Sequence, residues 1–174
     1  VALSIVATAG AANANSFVTL VEAEAYMEGR GNASTWTAAT DAEKNVTLVE
    51  ATRDIDVQNY RGKRASSTQA LDWPRDWAVD PDDPYLDYFD SDEIPTRIKN
   101  ATCELAWQYL KAGTTDVAAL DAATNVKRKK VDVLETEYFA ASSTPTGLSR
   151  YPRVIAYIRP LLASTGPTAA TVRG

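Results

Sequence analysis

Between Asp80 and Glu93 the chain carries seven carboxylates (Asp80, Asp82, Asp83, Asp87, Asp90, Asp92 and Glu93), no base and two prolines. Pro81 and Pro84 each remove a backbone donor and clash with the preceding helical turn, so no helix passes through this stretch. With the Arg61-Gly-Lys-Arg64 turn and the polar residues after it, it makes one long loop over 61–93. Loops of this length in a compact chain are commonly functional or disordered. Trp73, Trp77, Tyr85, Tyr88 and Phe89 are the expected aromatic anchors. Any helical core must therefore be assembled from segments on either side of it.

Those segments are well signposted. Thr19-Leu-Val-Glu22 and Thr40-Asp-Ala-Glu43 both have capping-box spacing, a hydroxyl followed three residues later by a carboxylate. The first predicts a helix from near Ser16 to Gly29, with Phe17 as a staple and Leu20, Ala23 and Met27 on one face. The second predicts a helix to Gln58 or Tyr60 with a stripe of Val46, Leu48, Val49, Ala51 and Ile55, and with Arg53 and Asp54 or Asp56 in water. A third helix is capped by Ser91 or Asp92, takes Pro95 in its first turn and stops at Gly113. It buries Ile94, Ile98, Ala101, Leu105 and Tyr109, and Cys103 packs with them as a small hydrophobe. Thr114–Asn125 reads as a helical turn or a connector. Residues 127–139 read as a β-strand or hairpin led in by Lys127, Arg128, Lys129 and Lys130.

The expected fold is mainly α: a small bundle of about three core helices with a β-strand or hairpin, a long acidic loop and an extended C-terminal arm ending in a short helix. Residues 1–14 form an N-terminal arm, 15–139 the helical core and 140–174 a linker and arm. The N-terminal stretch has the apolar and small residues of a signal segment but lacks its positive start. An edge strand at 3–8, or an arm pairing with a neighbour, fits it better. With 174 residues the chain can bury roughly 70% of its unfolded surface, enough for one domain.

Composition narrows the function. The chain has no histidine, which removes His general bases, Ser-His-Asp and Cys-His sets, and His-ligated metals. One cysteine makes neither an internal disulfide nor a thiolate zinc cage. No Gly-rich phosphate loop is present, and no apolar run approaches membrane-spanning length. Asp80, Asp82, Asp83 and Asp87 lack the spacing of a calcium loop. No catalytic residue, metal or cofactor is expected, and the chain is not read as an enzyme.

Net charge is −5, from 18 Lys and Arg against 23 Asp and Glu, so no general attraction to nucleic acid follows. Lys127–Lys130 and the Arg61, Lys63, Arg64 cluster, with Trp36, Trp73, Trp77 and Trp107, are the elements a single-strand binder would use. A solvated strand end, a solvated turn and a core Trp107 account for them better than sequence-specific binding does. From residue 138 onward there are four Arg and no acid. Val154, Ile155, Ile158, Leu161 and Leu162 in that region are too apolar for a free tail. Either they fold back on the helices, or they fill a partner's groove with Arg153 and Arg159 flanking it.

An ordered set of segments runs from about residue 15 to 162: Asn15–Tyr26, Gly31–Trp36, Ala51–Asp56, Arg61–Arg64, Gln69–Arg75, Glu93–Ala106, Val131–Phe139 and Arg159–Leu162. This set resembles a family of tailed-bacteriophage head–tail adaptor (connector) proteins, whose members also carry the description DnaT-like single-stranded-DNA-binding protein. The resemblance implies a structural virion protein, assembled in the host cytoplasm, that joins portal to tail without catalysis. It implies a ring of about twelve copies, as heterologous contacts that close would give. The partners implied are the portal, neighbouring copies, the next tail or neck protein, and DNA passing through the channel without sequence recognition. No membrane is implied. On this reading Tyr151, Ile155, Ile158, Arg159, Leu161 and Leu162 contact the portal. Lys127, Arg128, Lys129, Lys130, Asp82, Asp83 and Asp87 lie between subunits or face the channel. Single-stranded-DNA binding is the alternative function.

Overall fold

The computed structural model describes residues 3–113, 128–131, 134–137 and 147–163. Thr114–Asn125, Lys127, the 140–146 linker and the tail from Ser164 lie outside the described residues. Five α-helices are described: α1 (Leu20–Glu28), α2 (Ser34–Ala38), α3 (Asp41–Asp56), α4 (Thr96–Ala112) and α5 (Pro152–Ile158). Two short antiparallel pairs accompany them, β1 (Lys63–Arg64) with β2 (Arg75–Asp76), and β3 (Arg128–Val131) with β4 (Leu134–Glu137). The mainly helical class and the hairpin are as expected.

Both capping boxes form. Thr19 and Thr40 each accept from the amide three residues on, and Glu22 and Glu43 reach back to the cap amides. Together they satisfy donors that a bare helix start leaves open. Gly113 ends α4 in the left-handed region, at φ +70, with its amide bonded to the Tyr109 and Leu110 carbonyls. The α4 start differs from expectation: Pro95 takes the cap position with no side-chain cap, and neither Ser91 nor Asp92 fills that role. The first helix begins at Leu20 and not near Ser16, because Thr19 is the cap.

The core lies between α3 and α4, with α1 and α2 alongside and α5 packed against α4. Phe17, Leu48, Ile55, Ile98, Leu105, Tyr109 and Ile158 fill it. Val46 is exposed, since the buried face of α3 is completed by Thr47 and Thr52, whose hydroxyls bond back to carbonyls one turn earlier. Asp54 and Asp56 are half-buried and bonded, Asp54 to the Tyr109 hydroxyl and Asp56 to the Asp72 amide. Residues 3–8 form no strand; Asn15 ties them down by accepting from the Val6 amide and donating to the Ser4 carbonyl. Helix α2 was not anticipated; it carries Trp36 into the core, away from any stacking role.

The C-terminal alternatives resolve on packing. Val154, Ile158 and Leu161 are buried in the chain's own core, and Tyr151, Ile155 and Leu162 pack partly against it. Backbone bonds close the seam: Arg61 N donates to Leu161 O at 3.0 Å and Ala163 N to Asn59 O at 2.8 Å. Ile158 and Leu161, expected on a partner, therefore face inward, because the chain's own apolar core takes them in. Arg159 stays exposed.

Just before β1, Gly62 has φ +77, and a Cβ there would sit 2.3 Å from the Asp76 carbonyl oxygen. Both the conformation and the space favour glycine. Gly62→Ala is expected to lower stability by about 2 kcal/mol or more, read as a lower urea midpoint at unchanged slope.

Candidate functional site

Two surface features stand out, one at the start of α4 and one running from its middle to its last turn. The first is the acidic loop. Trp73 anchors it from inside, edge-on to Tyr60 at 5.6 Å and to Phe89 at 5.7 Å. Outward from that anchor the chain turns back on itself. Val79 and Tyr88 bridge, Asp80 N donates to Asp87 O at 2.8 Å, and Phe89 N to Ala78 O at 2.9 Å. The Asp80 and Asp83 carboxylates cap the tip by accepting from the Asp82 and Tyr85 amides at 2.9 and 2.7 Å. Arg97, in the first turn of α4, donates through Nε to Asp82 at 2.6 Å, and this bond holds the Asp82 carboxyl below its usual range.

On this scaffold four large side chains stand in solvent: Trp77 is 65% exposed, Tyr85 90%, Leu86 64% and Tyr88 56%. Trp77 and Leu86 also sit at φ +58 and +56, in the left-handed region that bulky residues rarely enter. The expected anchors thus divide. Trp73 and Phe89 hold the loop, and Trp77, Tyr85 and Tyr88 are presented by it. Asp82 and Asp83 build the loop, while the Asp87 carboxylate is exposed and accepts from the Tyr88 amide at 2.8 Å. Among the described residues no three carboxylates, thiols or imidazoles converge to hold a metal ion.

The second feature centres on Glu104, whose side chain is 1% exposed in the middle of α4. Arg30 pairs with it through both oxygens, Nε to Oε1 and a terminal nitrogen to Oε2, each 2.9 Å. The Tyr26 hydroxyl donates to Oε1 at 2.8 Å and Arg153 at 3.2 Å. Burial acts most strongly on this carboxyl and pushes it up, but the bonds from Arg30, Tyr26 and Arg153 together outweigh burial and hold it low. The Arg30 guanidinium lies 3.6 Å from the Trp107 ring centre, and Lys111 Nζ lies 5.2 Å from it. Arg153, expected beside a partner's groove, thus closes α5 onto α4. Helical spacing could not reveal this network, since its members come from three separate elements. Beside it opens a cleft of about 380 Å³ with Lys111, Arg150 and Arg153 around it and Ala112, Pro152 and Val154 among its walls.

The remaining bases are largely matched. Of the ten Lys and Arg in residues 3–113, eight lie within 4 Å of a carboxylate: Arg30, Lys44, Arg53, Lys63, Arg64, Arg75, Arg97 and Lys99. Lys63 also stands 4.3 Å over Trp77. Arg128, Lys129 and Lys130 fall in β3, with Arg128 in register with Glu137 and Lys130 with Glu135. Cys103 is buried, and its thiol is pushed up to about 12 chiefly by that burial, which makes it a poor nucleophile.

No curated protein and no solved structure matches the chain. A family model described as "Putative DnaT-like ssDNA binding protein" matches residues 1–174. That wording agrees with the DnaT-like side of the resemblance, and so with the single-stranded-DNA alternative more than with the adaptor reading. The match spans the whole chain, which therefore belongs to the family of that description.

Proposed function

We propose that this chain works by macromolecular contact, without catalysis, as a head–tail adaptor of a tailed bacteriophage. In that role it forms a ring of about twelve copies between portal and tail and borders the DNA channel, the heterologous arrangement that closes on itself. The observation that carries this reading is the acidic loop. An ordered backbone holds Trp77, Tyr85, Leu86 and Tyr88 in water, and such exposed apolar clusters mark protein contact sites. The carboxylates around them favour a protein surface over a phosphate backbone. So does the pairing of eight bases with carboxylates, since binding phosphates would mean breaking those pairs.

Single-stranded-DNA binding is the second reading. The family's description favours it, and the cationic cleft beside Glu104 is the place it would use. Native mass spectrometry of the protein with its cognate portal ring separates the two. The adaptor reading expects about one chain bound per portal subunit, and weak binding of oligo(dT). Absence of portal association, with oligo(dT) affinity falling steeply as salt rises, would replace it with the second reading.

A further inference from the structure

The two surface features match each other in chemistry and lie toward different ends of α4. The loop is tied to Arg97 in the first turn of α4, and the cleft is bordered by Lys111 in the last. At 1.5 Å per residue those positions are about 21 Å apart along the helix. One end presents apolar side chains rimmed by carboxylates, and the other an apolar-walled cleft rimmed by cations. Three of the cleft's charged side chains are basic (Lys111, Arg150, Arg153) and one, Glu104, is acidic. Glu104 is already held by Arg30 as well as Arg153, so its carboxylate does not offset the charge of Lys111. Its volume is within the range of sites that accept a side-chain-sized group.

We infer that the loop of one copy docks in the α4–α5 cleft of another, with Tyr85 and Leu86 as apolar anchors and Asp87 and Asp90 meeting Lys111 and Arg150. The contact deepens the adaptor reading by naming the surfaces that join neighbours. It joins two different patches, so it is heterologous and propagates from copy to copy. Apolar anchors inside a charged rim are the usual anatomy of such an interface, the anchors giving affinity and the rim fixing partner and register. A phosphate backbone suits the cleft less well, because Trp107 is covered by Arg30 and Lys111 and offers bases no stacking face there.

Sedimentation equilibrium and native mass of the full chain test this, at low and high salt over a wide concentration range. Wild type is expected to self-associate, more weakly at high salt. D87K/D90K and K111E/R150E are each expected to weaken association tenfold or more, and an equimolar mixture of the two to restore it. Leu86→Gly relieves a left-handed leucine, so it is expected to leave the thermal transition in place or raise it while weakening association at least tenfold. Association that survives both charge reversals, or a monomer at every concentration and salt, overturns the contact. So does oligo(dT) binding that K111E/R150E abolishes in a protein that does not self-associate, which would give the cleft to phosphate. A monomer that still loads onto the portal overturns this contact and leaves the adaptor reading standing. Self-association with rescue but no portal binding does the reverse.

Discussion

Glu104→Ala is expected to destabilise the protein by about 3–5 kcal/mol, the range for removing one partner of a buried ion pair. The loss comes less from the missing attraction than from what stays behind. Arg30 is 13% exposed and lies against Trp107, so without Glu104 its charge remains buried and uncompensated. Tyr26 loses the acceptor for its hydroxyl, and Arg153 loses the carboxylate that holds α5 to α4. Urea unfolding reads the effect directly. Replacing Arg30 and Glu104 together with methionine should recover much of the loss, because no unpaired charge is then left inside. A loss below about 1 kcal/mol for the single change would mean that water reaches Arg30 freely.

The same pair sets an acid limit. The Glu104 carboxyl is held below its ordinary value of 4.5 in the folded chain, so folding favours its ionised form. Its contribution is complete above the unfolded value and is lost as pH falls below about 4.5 toward the depressed folded value. In Glu104→Gln the stability curve should therefore be flatter over that acid range than in wild type.

How much of this was legible in sequence follows from how local each signal is. The Thr19 and Thr40 boxes, Gly113 as a stop, and the proline-broken acidic loop depend on neighbours within four residues, and all formed. The α4 stripe of Ile98, Ala101, Leu105 and Tyr109 is likewise read from spacing and is buried. Spacing misplaces the exceptions. Val46 lies outside the buried face because Thr47 and Thr52 satisfy their hydroxyls on the helix itself and pack like small apolar groups. Trp73 and Trp77 are alike in sequence, yet only the first meets Tyr60 and Phe89. The second is turned outward by a left-handed backbone that no composition rule anticipates. The Glu104 network joins residues 30, 104 and 153. A glutamate at a position that helical periodicity places among buried alanines and leucines was its one sequence signal.

Truncation after Ser149 is expected to unfold the chain, in contrast to the separable arm that the portal-docking reading implies. Val154, Ile158 and Leu161 are buried, and each such side chain contributes roughly 1.5–3 kcal/mol on leaving water. Losing all three removes about 5–9 kcal/mol, comparable with the roughly 5–15 kcal/mol that holds a domain folded. The cut also takes away the carbonyls of Leu161 and Leu162, which accept from Arg61 at 3.0 and 3.1 Å, and so loosens the segment leading to Gly62 and the acidic loop. Near-ultraviolet circular dichroism and the urea transition are the measurements. The expected result is loss of the tertiary signal and of cooperativity, with some helical signal left from α3 and α4. A truncated chain that unfolds cooperatively near the wild-type midpoint would show instead that α5 is an appended arm. The cleft would then exist only while that arm is seated, and portal binding and self-association would have to be measured against its docking.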